Sequence, residues 1–500
     1  MKPIQSLSLV CAVALATGCQ EKPTVTADIA QTGSDWYQQG QATLQTKQAQ
    51  QANTQLARNV ILFVADGHGI TSNTALRILD GQRQGNSGEE HVLSYEKFPY
   101  LALSKTYNTD AQIADSAGTA TAMLTGVKTR MGVLSLDDQV ARSDCHNNDQ
   151  HQLTTALEMA ENAGMSTGIV TTARITHATP AAAYAHSPER NLEADTKLSP
   201  QQQQDGCRDI AEQLIAFPYG DGIDVVMGGG RKNFLPSDVD DIEGHFGVRE
   251  DKRNLIDEWQ QKYPQGQYVQ TTAELNQTQN DDRLLALFSP SHMAYEVDRA
   301  NDKGGEPSLA QMTEAAIKRL QKNDKGFFLL VEAARVDHGH HAGNAHRALE
   351  DGRAYAAAVA KAAELTSTQD TLIIATADHS HTLSMAGYSS RGNPILGLST
   401  WQDEQGEPQT NKGLDDHPYT TLAYANGPGA SSDRASLDQS SAEHVDYKQS
   451  SLVPTESETH GGEDVAIYAR GPGAWLFSGT VEQHYIFHVM QHAAELSKHR

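Results

Sequence analysis

"GFFLLVEAARVDHGHH" at residues 326–341 and "TLIIATADHSH" at 371–381 decide how this chain is read. In each, a continuous apolar run stops and metal-ligand side chains follow at once. Runs of this kind are typical of strands buried on both faces of a sheet. In open α/β sheets ligands bind outside the carboxyl ends of such strands. Two segments of the same kind imply a built site. The same reading finds strands at 59–66, 166–172, 223–230 and 465–471, with helix-like stretches such as 152–164 and 309–323 between them. The alternation predicts an α/β fold, a mostly parallel central sheet with helices on both faces. Residues 231–305 and 387–455 are more polar and irregular and read as insertions decorating an edge. The "QQQQ" at 201–204 reads as a loop, and no internal repeat is visible.

The chain has 500 residues, enough for one large α/β domain with insertions or for two domains. Lys and Arg number 39 against 63 Asp and Glu, a formal net charge of -24. That balance excludes a basic nucleic-acid surface, so an anionic substrate needs local positive charge from Arg or metal ions. The start "MKPIQSLSLVCAVALATGC" reads as a signal peptide over 1–18. Its "LATGC" resembles a bacterial lipobox, which makes Cys19 a lipidation site and 19–33 a tether; simple secretion is the alternative. Gln20 after that cysteine favours the outer membrane of a periplasm. Cys145 and Cys207 remain, and in an oxidising compartment they either pair or stay reduced. Residues 34–57 are Gln- and Ala-rich with good helix propensity, and Ser34 or Asp35 could cap them. Trp36, Tyr37 and Leu44 suggest that this segment docks somewhere.

The candidate site follows from what stands at each strand end. Asp66 follows the first strand in "ADGHG". Glu332, Asp337 and His341 follow the run at 326–331, and Asp378 and His379 follow that at 371–377. His460 precedes 465, and "ARITHATP" places His177 and Thr179 after 166–172. Imidazole with carboxylate suits Zn²⁺; hydroxyl with carboxylates suits Mg²⁺. Asp337 and His341 are four apart, so a helical turn puts them on one face. In "IADSAGTATAMLTG" (113–126), Ser116 opens a run of small helix formers. Its hydroxyl is then near a helix N-terminus, which favours a phosphate. A plain N-cap role for Asp115 or Ser116 is the commoner fate of such a pair.

"ADSAGTATAMLTG", "TTARITHATPAAAYAHSPER", "FFLLVEAARVDHGHH", "TADHSHT" and "ETHGGEDVAIYARGPGAWLFSG", in that order, resemble alkaline phosphatase. The likeness runs from about residue 34 to 495. His177 and His338 stand where the enterobacterial type carries Asp and Lys, so the chain is more similar to the animal-type branch. The resemblance implies a phosphate monoesterase with two Zn²⁺ and one Mg²⁺ per subunit. Ser116 is implied as nucleophile and Arg190 as phosphate clamp, oriented by Asp115. Asp337, His341 and His460 are implied for one zinc. The other zinc takes Asp66, Asp378 and His379, and magnesium takes Asp66, Thr179 and Glu332. His177 and His338 fall into a supporting shell. A Cys145–Cys207 disulfide is implied. So is a homodimer, with 34–57 as an arm over the partner and 387–455 as a crown-like region, on a catalytic domain of 58–498. Animal-type members also have a peripheral calcium site. Here Ser289 replaces an expected Glu, although Phe288 and Glu306 match, and calcium is left unassigned.

Two other readings remain. A phosphodiesterase or sulfatase of the same superfamily commonly needs a Thr nucleophile or a modifiable Cys or Ser before Pro, and "DSAGT" offers neither. A lipid-anchored metal- or phosphate-binding protein needs no nucleophile, and Ser116 beside the metal set argues against it.

Overall fold

The computed structural model describes residues 29–146, 148–279, 283–432, 434 and 436–496. The leader 1–18, Cys19 and most of the tether lie outside them. Residues up to Gln51 form one unit and Ala52 onward another. In the first, helix α1 (Asp35–Gln48) follows Ser34, whose side chain makes no capping bond, and none of its residues is buried.

Ten strands form the central sheet of the second unit. They are β1 (Asn59–Ala65), β2 (Tyr100–Lys105), β3 (Ser166–Arg174), β4 (Val225–Gly229), β5 (Gln267–Val269), β6 (Leu284–Leu287), β7 (Phe327–Ala333), β8 (Thr371–Ala377), β9 (Val465–Arg470) and β10 (Thr480–Glu482). Their order is β10-β2-β9-β8-β1-β7-β3-β4-β6-β5. All pairings are parallel except those of β9, which runs antiparallel to β2 and β8. The expected sheet is therefore present. The 231–305 segment, read as an insertion, supplies β5 and β6 and so extends one edge. The opposite edge, β2 and β10, is half exposed, and its weaker apolar signal hid it from the sequence reading.

β1 explains why the sheet is covered on both sides. Val60, Leu62 and Val64 join one core cluster and Ile61, Phe63 and Ala65 the other. Alternate side chains of a strand point to opposite faces. Helices α2 (Ile70–Arg83), α5 (Leu309–Leu320) and α7 (Ala345–Leu365) pack on the second face. On the first lie α3 (Ser116–Thr125), α4 (Ala156–Asn162) and α8 (Tyr485–Ala494). Each fully buried Ile, Leu or Phe contributes roughly 1.5–3 kcal/mol. This frame holds the strand ends in place.

The expected loop at 201–204 is helical instead, over Pro200–Gln204. Ser199 caps it, Gln202 completes a reciprocal capping box, and proline sits at the first helical position. Residues 387–455 carry small sheets of their own: 422–427 pairs with 383–385 and 451–454, and 400–402 with 408–410. Cys145 and Cys207 are joined by a disulfide with Cα atoms 5.5 Å apart.

Candidate active site

Register brings the acids together. Ala65 at the end of β1 is level with Ala333 of β7 and Ala377 of β8. Asp66 and Asp378 therefore leave adjacent strands side by side, Glu332 stands inside β7 opposite Val64, and all three are fully buried. Gly67 makes the turn after β1 with φ 73°, and a Cβ there would lie 2.5 Å from the His381 ring. Its N–H donates to Asp378 Oδ1 at 2.9 Å. Helix α6 (Arg335–His341) starts directly after β7 and puts Asp337 and His341 on one face, His341 Nε2 being 3.4 Å from Asp337 Oδ1. His460 arrives by an antiparallel bridge, His460–Gly461 against Ser380–His381. Its Nε2 is 3.3 Å from Asp337 Oδ1 and 3.1 Å from His341 Nε2.

Three groups of ligand atoms result. The first is Asp337, His341 and His460. In the second, His379 Nε2 lies 3.4 Å from Asp66 Oδ1 and 3.2 Å from Asp378 Oδ2. The third brings Asp66 and Glu332 together with His177, and Thr179, in a short helix over 178–181, stands beside Glu332.

The donors fit cations. Nδ1 of His341, His379 and His460 each faces a backbone carbonyl, of Glu458, Ser380 and Ala114. Donating Nδ1–H there leaves each Nε2 lone pair free for an ion, the usual bracing of a metal-bound imidazole. In the third group Asp66 Oδ2, Thr179 Oγ1 and Glu332 Oε1 are all buried without a hydrogen-bond partner. Buried polar atoms are rarely left so. Three converging oxygens suit a hard ion such as Mg²⁺, whereas mixed nitrogen and oxygen suit Zn²⁺.

Electrostatics say the same. Burial, reinforced by Asp378, Asp337 and Glu332, pushes the Asp66 carboxyl well above its ordinary range. Burial takes Glu332 to about 7, with a bond from Thr171 opposing and Asp378 and Asp337 adding to the rise. Burial and the neighbouring imidazoles, His460 foremost, hold His379 well below its usual range, neutral as a ligand must be.

Ser116 is the first residue of α3. Asp115 caps that helix by accepting from Gly118 N at 3.1 Å, so the plain capping role also holds. Ser116 Oγ lies 3.2 Å from His379 Nε2 and 3.4 Å from Asp66 Oδ1. Arg190 Nη1 donates to Asp115 Oδ2 at 3.0 Å and Nη2 to His177 Nε2 at 3.1 Å, so both its terminal nitrogens are held. The Asp115 carboxyl, raised by burial but more strongly lowered by Arg190 and two backbone N–H groups, stays ionised.

Three participants, His381, Glu458 and Thr171, and one residue beside the site, His292, escaped the sequence reading. His381 contacts Asp337 Oδ1 at 2.7 Å through Nε2 and Glu458 through Nδ1. Thr171 donates to Glu332. His292 stands beside His177 and His338. His381 was signalled by "DHSH"; Glu458, Thr171 and His292 carry no local signal.

Comparison with known proteins agrees with this geometry. The alkaline phosphatase family model matches residues 57–496. The tissue-nonspecific alkaline phosphatase isozyme of Gallus gallus is 44% identical over 480 residues, covering 93% of this chain and 90% of the relative. The Homo sapiens isozyme is 44% identical over 473 residues, covering 92% and 88%. The alkaline phosphatase structure from Thermus thermophilus superposes with a TM-score of 0.62 at 25% identity, covering 90% of this chain and 93% of the other. The chain belongs to the alkaline phosphatase family, and its activity is metal-dependent hydrolysis of phosphate monoesters.

The raised carboxyls set a pH dependence for the metal-free protein. A Glu332 that moves from 4.5 to about 7 on folding adds no cost below its unfolded value. Stability is lost as pH rises through the folded value. Thermal unfolding with and without chelator, at about pH 5 and about pH 9, should show the gap between the two forms widening at the higher pH. An equal gap at both would contradict the placement of these acids around cations.

Proposed function

We propose that Ser116 is the nucleophile of a two-step displacement through a phosphoserine, and that Arg190 clamps the phosphoryl group. The observation that carries this is the Ser116 hydroxyl standing within 3.4 Å of both His379 and Asp66, on the helix N-terminus. Asp337, His341 and His460 would hold one Zn²⁺, Asp66, Asp378 and His379 the second, and Asp66, Thr179 and Glu332 Mg²⁺. Bound there, the ions supply Lewis acidity that lowers hydroxyl pKa values and offsets charge on the attacking and leaving oxygens.

The chain's own groups do the rest. Asp115 and His177 fix the Arg190 fork, whose planar donors suit two phosphoryl oxygens. Ser116 opens α3, and a helix N-terminus favours a phosphoryl group there. Ser116 Oγ gives up its proton to solvent and attacks phosphorus in line; the P–O bond to the alcohol breaks, and the alkoxide takes a proton. Water then attacks the phosphoserine from the opposite side. Its proton goes to solvent, phosphate leaves, and Ser116 Oγ is reprotonated. The side chains placed here grip phosphoryl and ions rather than the alcohol, which supports breadth over monoesters. A diesterase reading has nothing comparable in its favour.

The remaining readings rest on sequence and family. The enzyme is a homodimer, with the 34–57 arm and the 387–455 region at its interface. In one chain Trp36 and Leu44 of the arm are exposed, which supports that use. It is a periplasmic lipoprotein held on the outer membrane through Cys19. Calcium stays unassigned: the Ser289 hydroxyl donates to His292 O and offers no carboxylate.

Ser116→Ala should abolish trapping of labelled phosphoserine and cut kcat by several orders of magnitude. Ordinary turnover with normal trapping in that variant would sink the assignment. Cys19→Ser should move the enzyme from the membrane fraction to the soluble fraction. An unchanged distribution would refute the anchor.

A further inference from the structure

His292 has no part in the site as described, yet it completes a second ring cluster beside it. The rings of His177, His292 and His338 have centroids 5.3, 5.6 and 4.2 Å apart. Each offers a ligand nitrogen within 4.8 Å of the others. Nδ1 of all three is buried without a hydrogen-bond partner. The residues themselves are only half-buried, although these nitrogens are covered. Three imidazoles and no carboxylate suit Zn²⁺, Ni²⁺ or Cu²⁺ and do not suit Mg²⁺ or Ca²⁺.

The bracing differs from that of the catalytic histidines. Nε2 of His177 accepts from Arg190, and Nε2 of His292 accepts from Arg174. Neither has a carbonyl behind it. An ion must therefore compete with guanidinium groups, which makes the cluster weaker than the catalytic centre. Charge is partly offset, since Arg174 donates to both Glu193 oxygens at 2.7 and 2.6 Å and Arg190 is paired with Asp115. Arg335 stacks on Tyr295 at 3.7 Å from the ring centroid.

We infer that His177, His292 and His338 form a further, low-affinity site for a divalent transition metal, and that filling it loosens the phosphate clamp. An ion bound through His177 Nε2 displaces the Arg190 contact directly. Bound through Nδ1, it leaves the ring proton on Nε2, facing the guanidinium. Either way the Arg190–His177 hydrogen bond is lost. The metal count stands on the cluster alone; the coupling rests on the reading of Arg190 as clamp.

The test uses holoenzyme already loaded with its catalytic metals, dialysed against rising Zn²⁺, with bound metal counted by mass spectrometry and KM measured in parallel. Wild type should take up one further equivalent while KM rises roughly tenfold, the worth of one hydrogen bond to a charged group. His292→Ala and His292→Gln should keep phosphate release at limiting zinc, take up no further equivalent and show no rise in KM. No further equivalent in wild type, or equal uptake in the variants, overturns the site. Uptake without a change in KM overturns the coupling. Phosphate release before zinc is added scores the hydrolytic mechanism separately.

Discussion

Four buried carboxylates stand close together in this molecule, and the rest of the architecture follows from that. Asp66, Glu332, Asp337 and Asp378 are each at most 4% exposed. Ionised carboxylates cannot be buried together without counter-charge. Arg190, whose guanidinium feels Asp66 and Asp337, is already engaged by Asp115. Imidazoles surround the acids, and those of His341, His379 and His460 are turned with Nε2 inward. The arrangement suits cations, and burial together with the neighbouring acids raises the Asp66 and Glu332 carboxyls.

The sheet is what makes such crowding possible. Three adjacent parallel strands bring their acids close, Asp66 and Asp378 at the same level and Glu332 two residues further back, because β1 is in register with both neighbours. The two apolar clusters clamp those strands from either face. Ser116 comes from another direction, on a helix all ten of whose residues are buried. A hydroxyl on such a helix has little freedom, so its distance to His379 and Asp66 is a property of the frame. Gly67 is a tight point of the site: a side chain there would collide with His381 and crowd Asp337.

Much of this was legible in the sequence because both signals are local. An apolar run followed by an acid reads without knowing what lies next to it, and so Asp66, Glu332 and Asp378 stood out. The i, i+4 pair Asp337 and His341 was equally local. His381 was passed over although "DHSH" displays it, because His379 already accounted for that strand end. Glu458 and Thr171 act only through partners distant in sequence. His292 is a solitary histidine in an irregular stretch, and only folding sets it against His177 and His338. The edge strands β2 and β10 lacked a continuous apolar run. At 200–204 the capping box of Ser199 and Gln202 outweighed the look of a polar linker.

Zinc-edge anomalous diffraction from crystals of the dialysed, fully active enzyme tests the central claim most directly. The account predicts two strong peaks, one among Asp337, His341 and His460 and one among Asp66, Asp378 and His379. It predicts density without an anomalous signal among Asp66, Thr179 and Glu332. A single peak, or an active crystal with no zinc peak at one of these two clusters, would contradict it.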